Sequence, residues 1–170
     1  GTTLPGGTLD DVTNIQNIDL RDGADTLTLT DGAGLDGDLD GGTGNDELIG
    51  NAGGAAFVVD ATNAGTVDTN LVPSTTDVDV DFSSFENLTG GVGDDTFDFT
   101  QATSRLDGDL DGGTGTNTLD LVAGASIGGN VTNVDVTLIV TGDAGGVITD
   151  DLIIIRNNSG VLEAEVNGSV

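Results

Sequence analysis

The ten residues LDGDLDGGTG stand unchanged at positions 35–44 and again at 106–115, so the chain spells one structural unit at least twice. Around them Ile15, Asn17, Ile18, Gly23, Asp25, Thr26, Leu27 and Leu29 find counterparts 70 residues later in Phe85, Asn87, Leu88, Gly93, Asp95, Thr96, Phe97 and Phe99. A third start shows where Val131, Thr132, Asn133 and Val134 echo Val12, Thr13, Asn14 and Ile15. Self-similarity of this kind marks chains that stack units, because one unit cannot bury its apolar face alone. Residues 1–170 therefore read as a single domain, with repeats of about 12–81, 82–130 and 131–170.

A shorter interval lies inside each repeat. Asp25 precedes Asp46 by 21 residues and Asp95 precedes Asn117 by 22, each followed by alternating polar and large apolar residues. Such alternation sends one set of side chains inward and the other outward. Residues 26–30 (TLTLT), 35–40 (LDGDLD) and 77–82 (DVDVDF) keep the same period of two, and no long window keeps a helical period. The pattern predicts an all-β chain with almost no helix: a parallel β-solenoid, β-helix or β-roll-like, of about eight rungs of roughly 21 residues. From Thr43 to Phe82 is 39 residues, against 17 from Thr114 to Val131, so the first repeat is expected to hold 22 more, about one extra rung. A slim core of this sort suits a chain with 35% apolar residues and Phe, five in number, as its only aromatic.

At the turns, residues 41–49 read GGTGNDELI and residues 90–98 read GGVGDDTFD, so both spell G-G-x-G-x-D-x-U-x with U a large apolar residue. The glycines let the backbone bend tightly, the aspartate adds a hard carboxylate, and U starts a strand that packs inward. The pattern resembles the calcium-binding nonapeptide of the RTX repeat family. Residues 85–99, FENLTGGVGDDTFDF, resemble the glycine-aspartate repeats of large secreted bacterial adhesins. The family carries two nonapeptides in each turn, whereas this chain has one in a longer turn. The resemblance implies Ca2+ held between loops on consecutive rungs by motif aspartates and loop carbonyls. Carried over, a first site would lie between the loop of Asp22 and Asp25 and the loop of Gly42, Gly44 and Asp46. A second would lie between Gly91, Gly93 and Asp95 and Gly113, Gly115 and Asn117. Asp46 and Asp95 match the motif in full. Asp25 sits in a loop without the leading glycines, and Asn117 offers a carbonyl oxygen without charge, which implies a weaker second site.

Plainer readings stand beside these. Each glycine loop also reads as a tight corner whose aspartate caps its own turn. The rows Asp36, Asp38, Asp40 and Asp107, Asp109, Asp111 read as solvated strand faces. Thr26, Thr28 and Thr30 have the spacing of an ice-binding row, but Thr116 and Thr118 are the one further aligned pair. The Asn-x-Ser/Thr matches at Asn87, Asn130, Asn157 and Asn167 are cheap in so Asn- and Thr-rich a chain.

Charge and missing residue types narrow the function. The net charge is −27, with 26 Asp against four Glu, and Arg21, Arg105 and Arg156 are the only basic side chains. Nothing in such a chain neutralises phosphate, so neither nucleic acid nor an anionic membrane is an expected partner. The longest apolar run, residues 152–155, is far too short to cross a bilayer. His, Lys, Cys, Tyr, Trp and Met are absent. Their absence removes hydrolytic triads, lysine bases, thiolate and histidine metal sites and the larger sugar-stacking rings. A carboxylate-dependent polysaccharide-active β-helix is the enzymatic alternative that survives; the chain itself reads as not an enzyme. Both ends read as uncapped, so the expected partner is a second copy docked end to end, or the continuation of a longer repeat protein, with a surface or glycan ligand open. Together these features predict a secreted, extracellular or cell-surface module of structural or adhesive kind, stabilised by Ca2+ and suited to a filament or surface layer. A metal-free spacer within an adhesin is the alternative.

Overall fold

Short alternating segments separated by glycine loops become short strands. The computed structural model describes residues 17–30, 37–68, 79–139, 152–158 and 161–167, with backbone alone from residue 136 onward. In chain order the strands are β1 (Ile18–Asp19), β2 (Thr26–Thr28), β3 (Leu39–Asp40), β4 (Glu47–Ile49), β5 (Ala56–Ala61) and β6 (Ala64–Asp68). Next come β7 (Val80–Ser83), β8 (Asn87–Thr89), β9 (Thr96–Phe99), β10 (Arg105–Leu106), β11 (Leu110–Asp111) and β12 (Thr118–Val122). The last are β13 (Ser126–Ile127), β14 (Val131–Thr132), β15 (Asp135–Ile139), β16 (Leu152–Asn158) and β17 (Val161–Asn167). They form three sheets: eight strands in the order β1-β3-β7-β6-β5-β9-β12-β15, five in the order β14-β11-β8-β4-β2, and four in the order β10-β13-β17-β16.

Parallel pairing in register lays like residues on like. In the five-stranded sheet Leu48, Leu88 and Leu110 are neighbours across β4, β8 and β11, all fully buried, with Leu27 and Val131 continuing the row. In the eight-stranded sheet Phe57, Phe97 and Leu119 form one inward row and Val59, Phe99 and Leu121 another. The rings of Phe57 and Phe97 stack at 5.0 Å with planes 2° apart, and Phe82 meets Phe57 edge-on at 6.4 Å. Each such side chain contributes about 1.5–3 kcal/mol by leaving water, and the stacked pair adds about 0.5–1.5 kcal/mol. The same rule has a cost on the outer face. Asp98 lies opposite Asp120, and partial burial followed by that neighbouring charge raises the Asp98 carboxyl above its ordinary value.

The expected parallel β-solenoid of about eight rungs does not hold. The chain is all-β, but two of the three sheets mix parallel and antiparallel pairing, and no closed solenoid forms among the described residues. The departure begins where the sequence suggested one extra rung. Instead of adding a parallel layer, the chain reverses at Thr62 and Asn63, and β6 runs antiparallel between β5 and β7. Asn63 makes the reversal by adopting a left-handed backbone, φ 53°, which Asn tolerates better than most residues. Its side chain is then fully engaged. Oδ1 accepts from Asp107 N at 2.8 Å, while Nδ2 donates to Glu86 Oε1 and to Asp107 Oδ2, each at 3.1 Å. The alternation of residues 77–82 is a strand from Val80 onward, whereas Asp77 and Val78 lie outside the described residues, as do Leu35 and Asp36. The reading of the N-terminal end as uncapped likewise falls outside them, and at the other end β16 and β17 form an antiparallel pair, with β17 continuing onto β13.

Candidate functional site

Two columns of loops flank the five-stranded sheet. The first stacks residues 20–25, 41–46 and 84–86, which lead from the eight-stranded sheet into β2, β4 and β8. The second stacks residues 50–55, 90–95, 112–117 and 133–134, which lead back into β5, β9, β12 and β15. The two nonapeptides therefore stand on opposite flanks of one sheet.

Backbone pairing builds each stack. Thr43 N donates to Arg21 O at 2.7 Å and Gly23 N donates to Thr43 O at 3.0 Å. In the second column Thr114 N and Gly91 O, and Gly93 N and Thr114 O, repeat the arrangement, both at 3.0 Å. Only glycine fits at the fourth motif position, because a Cβ on Gly44 would lie 1.5 Å from Gly23 O and one on Gly115 would lie 1.7 Å from Gly93 O. The second position needs a left-handed backbone, with φ 89° at Gly42, 101° at Gly91 and 75° at Gly113. Arg21 holds the same place in the loop that lacks leading glycines, at φ 74°, so that loop stacks with a non-glycine residue under strain.

The structure brings together the residues the sequence singles out. Asp46 and Asp95 are fully buried, and Asn117 is 3% exposed. Asp46 Oδ1 accepts from Asp25 N at 2.8 Å, and Asn117 Oδ1 accepts from Asp95 N at 2.9 Å. Asp22 stands at the exposed edge, its Oδ1 accepting from Thr43 Oγ1 at 2.8 Å. The aspartates thus cap a neighbouring loop rather than their own. Their other oxygens differ: Asp25 Oδ2, Asp46 Oδ2 and Asp95 Oδ2 are buried without a hydrogen-bond partner. A buried carboxylate oxygen with nothing to bind is costly, and a hard cation is the species that such oxygens suit. Among the described residues no three acidic side chains converge, so an ion here would draw on one or two carboxylates and on loop carbonyls.

Two members of the columns escape motif reading. Glu86 takes the third place in the first column, where its Oε2 accepts from Asp46 N at 2.9 Å. The signal is faint: an acid before Asn87-Leu88-Thr89, as Asp46 precedes Glu47-Leu48-Ile49. Ala55 opens the second column with a methyl group where Asp95 and Asn117 carry an acid and an amide, and its N–H donates to Asp95 Oδ1 at 2.7 Å. The strand-face aspartates also do more than meet water. Asp40 Oδ1 accepts from Gly42 N at 3.1 Å, and Asp111 Oδ1 accepts from Gly113 N at 2.9 Å and from Asn133 Nδ2 at 2.7 Å. Asp109 Oδ1 accepts from Asn130 N at 2.7 Å, and Asp107 pairs with the Arg105 guanidinium.

These surroundings push carboxyl groups in opposite directions. Burial raises Asp95 above the usual carboxylate value; the Ala55 N–H opposes it and the Asp94 charge adds to it. Asp107 is lowered, first by its bond to Arg105, against some burial and with help from Asn63. Burial acts to raise Asp111, but the donors Gly113 N, Asn133 Nδ2 and Thr132 outweigh it, and the group lies below its ordinary value. A raised carboxyl costs the folded state stability when ionised, and the cost is relieved as pH falls through its folded value. A lowered one contributes stability above its unfolded value and loses it as pH falls through the still lower folded value. Between neutral pH and the ordinary carboxylate range the raised groups titrate first. In EDTA, calorimetric melting is therefore expected to rise as pH falls from neutral toward the ordinary carboxylate range, and Asp95→Asn is expected to flatten that rise.

Beside the first column, the five-stranded sheet holds an open depression of about 570 Å³, with Asp25 and Asn45 of the loops and Glu47, Asn87, Thr89 and Asp109 in its lining. Thr89 Oγ1 donates to Glu47 Oε1 across it at 2.8 Å. No protein-family model, no curated protein and no solved structure matches this chain, so the site rests on its own geometry.

Proposed function

We propose that this chain is a calcium-stabilised structural or adhesive module that works outside the cell. The observation that carries the reading is the set of buried, unpartnered carboxylate oxygens on Asp25, Asp46 and Asp95, each in a loop stacked on its neighbour. The spelling of those loops supports it, since it resembles the RTX nonapeptide, whose ion is calcium. Asp46 with Asp25 would hold one ion and Asp95 a second, with glycine-loop carbonyls completing the oxygen set. Bound calcium supplies positive charge to carboxylates that otherwise repel one another in a chain of net charge −27. Binding and folding would then share one free energy. Sites built from few carboxylates suit the millimolar calcium found outside cells. Assembly end to end, or continuation in a longer repeat protein, belongs to the same reading.

A metal-free spacer is the second reading. It is favoured by the bonds from Asp25 N to Asp46 Oδ1 and from Ala55 N to Asp95 Oδ1, which join loops without an ion. Far-UV circular dichroism and sedimentation velocity on an EDTA-stripped sample, titrated with calcium and with magnesium as control, separate the two. Calcium-specific gain of β-structure, followed by growth in mass, is expected. A β-rich monomer indifferent to EDTA would leave the spacer.

A further inference from the structure

The first glycine of the motif serves as a ruler for the space between one loop and the next. A Cβ on Gly90 would lie 2.4 Å from Asp95 Oδ2 and 2.6 Å from Gly112 O. One step along the column, a Cβ on Gly112 would lie 2.7 Å from Asn117 Nδ2 and 2.1 Å from Asn133 O. The two loops thus set the far atom of an equivalent side chain near a carbonyl oxygen of the following segment. The near atoms match too, since Asp95 Oδ1 accepts from Ala55 N and Asn117 Oδ1 accepts from Asp95 N. The loops differ at the far atom. Asn117 Nδ2 is a donor and binds Asn133 O at 3.0 Å. Asp95 Oδ2 is an acceptor beside an acceptor, on a fully buried residue, and has no hydrogen-bond partner.

We infer that the sixth loop residue decides how the space before the next loop is filled: aspartate leaves it open to a divalent cation, and asparagine closes it with its own N–H. Two oxygens that border one buried space need positive charge or a donor in it. The Asp95 space takes the cation, with Asp95 Oδ2 and Gly112 O among its ligands. The Asn117 space takes none. Asn117 is then a closing residue rather than a ligand, and the second column ends its ion row there. This inference rests on the calcium reading above and adds to it which spaces fill.

The test counts calcium by isothermal titration calorimetry on EDTA-stripped full chain. Asn117→Asp is expected to bind one calcium more than the wild type, and Asp95→Asn one fewer. In EDTA, Asp95→Asn is expected to melt above the wild type, because its new amide can donate to Gly112 O as Asn117 donates to Asn133 O. An unchanged count in a folded Asn117→Asp, beside a wild type that binds calcium, overturns the inference. If the wild type binds no calcium, the functional reading fails instead. The closing role of the N–H is then read from the EDTA melts alone, where an Asp95→Asn that melts below the wild type overturns it.

Discussion

Asp46→Ala is expected to raise the calcium concentration at the folding midpoint at least about tenfold, or about 1.4 kcal/mol, while Asp79→Ala moves it less than about twofold. Both remove one aspartate, so bulk charge does not separate them. Asp46 is fully buried with a bare Oδ2, and its Oδ1 holds Asp25 N at 2.8 Å; Asp79 is exposed. Asp46→Asn divides the effect further. It keeps an oxygen for Asp25 N but removes the charge, so in EDTA it should be more stable than Asp46→Ala while sharing its loss of calcium response. Midpoints from circular dichroism at several calcium levels measure all three. Equal shifts for Asp46→Ala and Asp79→Ala would remove Asp46 from the ligand set.

Gly44→Ala is expected to cost about 3 kcal/mol, at the upper end of ordinary single substitutions. The added Cβ would lie 1.5 Å from Gly23 O, and that oxygen belongs to backbone pinned by the Gly23 N to Thr43 O bond. No rotamer relieves a clash with backbone, so the loops at 22–25 and 42–46 must part. Thr43→Ala in the same loop is the control. It loses the exposed Thr43 Oγ1 to Asp22 Oδ1 bond and leaves the backbone pairing alone, for under about 1 kcal/mol. Urea midpoints at fixed calcium compare the two. A Gly44→Ala variant as stable as Thr43→Ala would mean that the loops do not stack as closely as described.

What is legible in the sequence is whatever depends on the repeat interval. Asp25 with Asp46, and Asp95 with Asn117, are 21 and 22 residues apart, and their loops meet at those separations because parallel neighbours in register preserve the interval. The inward rows at Leu48, Leu88 and Leu110 follow from the same alternation. Where pairing leaves the interval, the sequence is silent. Strand β6 reads as well for a parallel layer as for an antiparallel one, because alternation carries no direction; Asn63 decides it through a left-handed turn that composition does not announce. Glu86 escapes for a related reason. It reaches Asp46 N across a separation of 40 residues, set by the inserted hairpin and not by the repeat. The aspartates of the strand faces were legible as outward-facing, but the bonds that Asp40 and Asp111 make to the glycine loops depend on backbone amides turned toward them, which no side-chain pattern encodes.

The bonds at the sixth loop position all run one way along the chain. Asp25 N, Asp46 N, Ala55 N and Asp95 N each find their acceptor on a later segment, at Asp46, Glu86, Asp95 and Asn117 respectively. The columns therefore have a direction, and trimming them from opposite sides has opposite chemistry. Loss of a later segment strands a backbone amide of the one before it; loss of an earlier segment strands a side-chain oxygen of the one after it, a carboxylate at Asp46, Glu86 and Asp95 and an amide oxygen at Asn117. A nascent chain emerging from its N-terminus completes each of these loops only when its successor in the same column arrives, so within a column closure follows the order of synthesis.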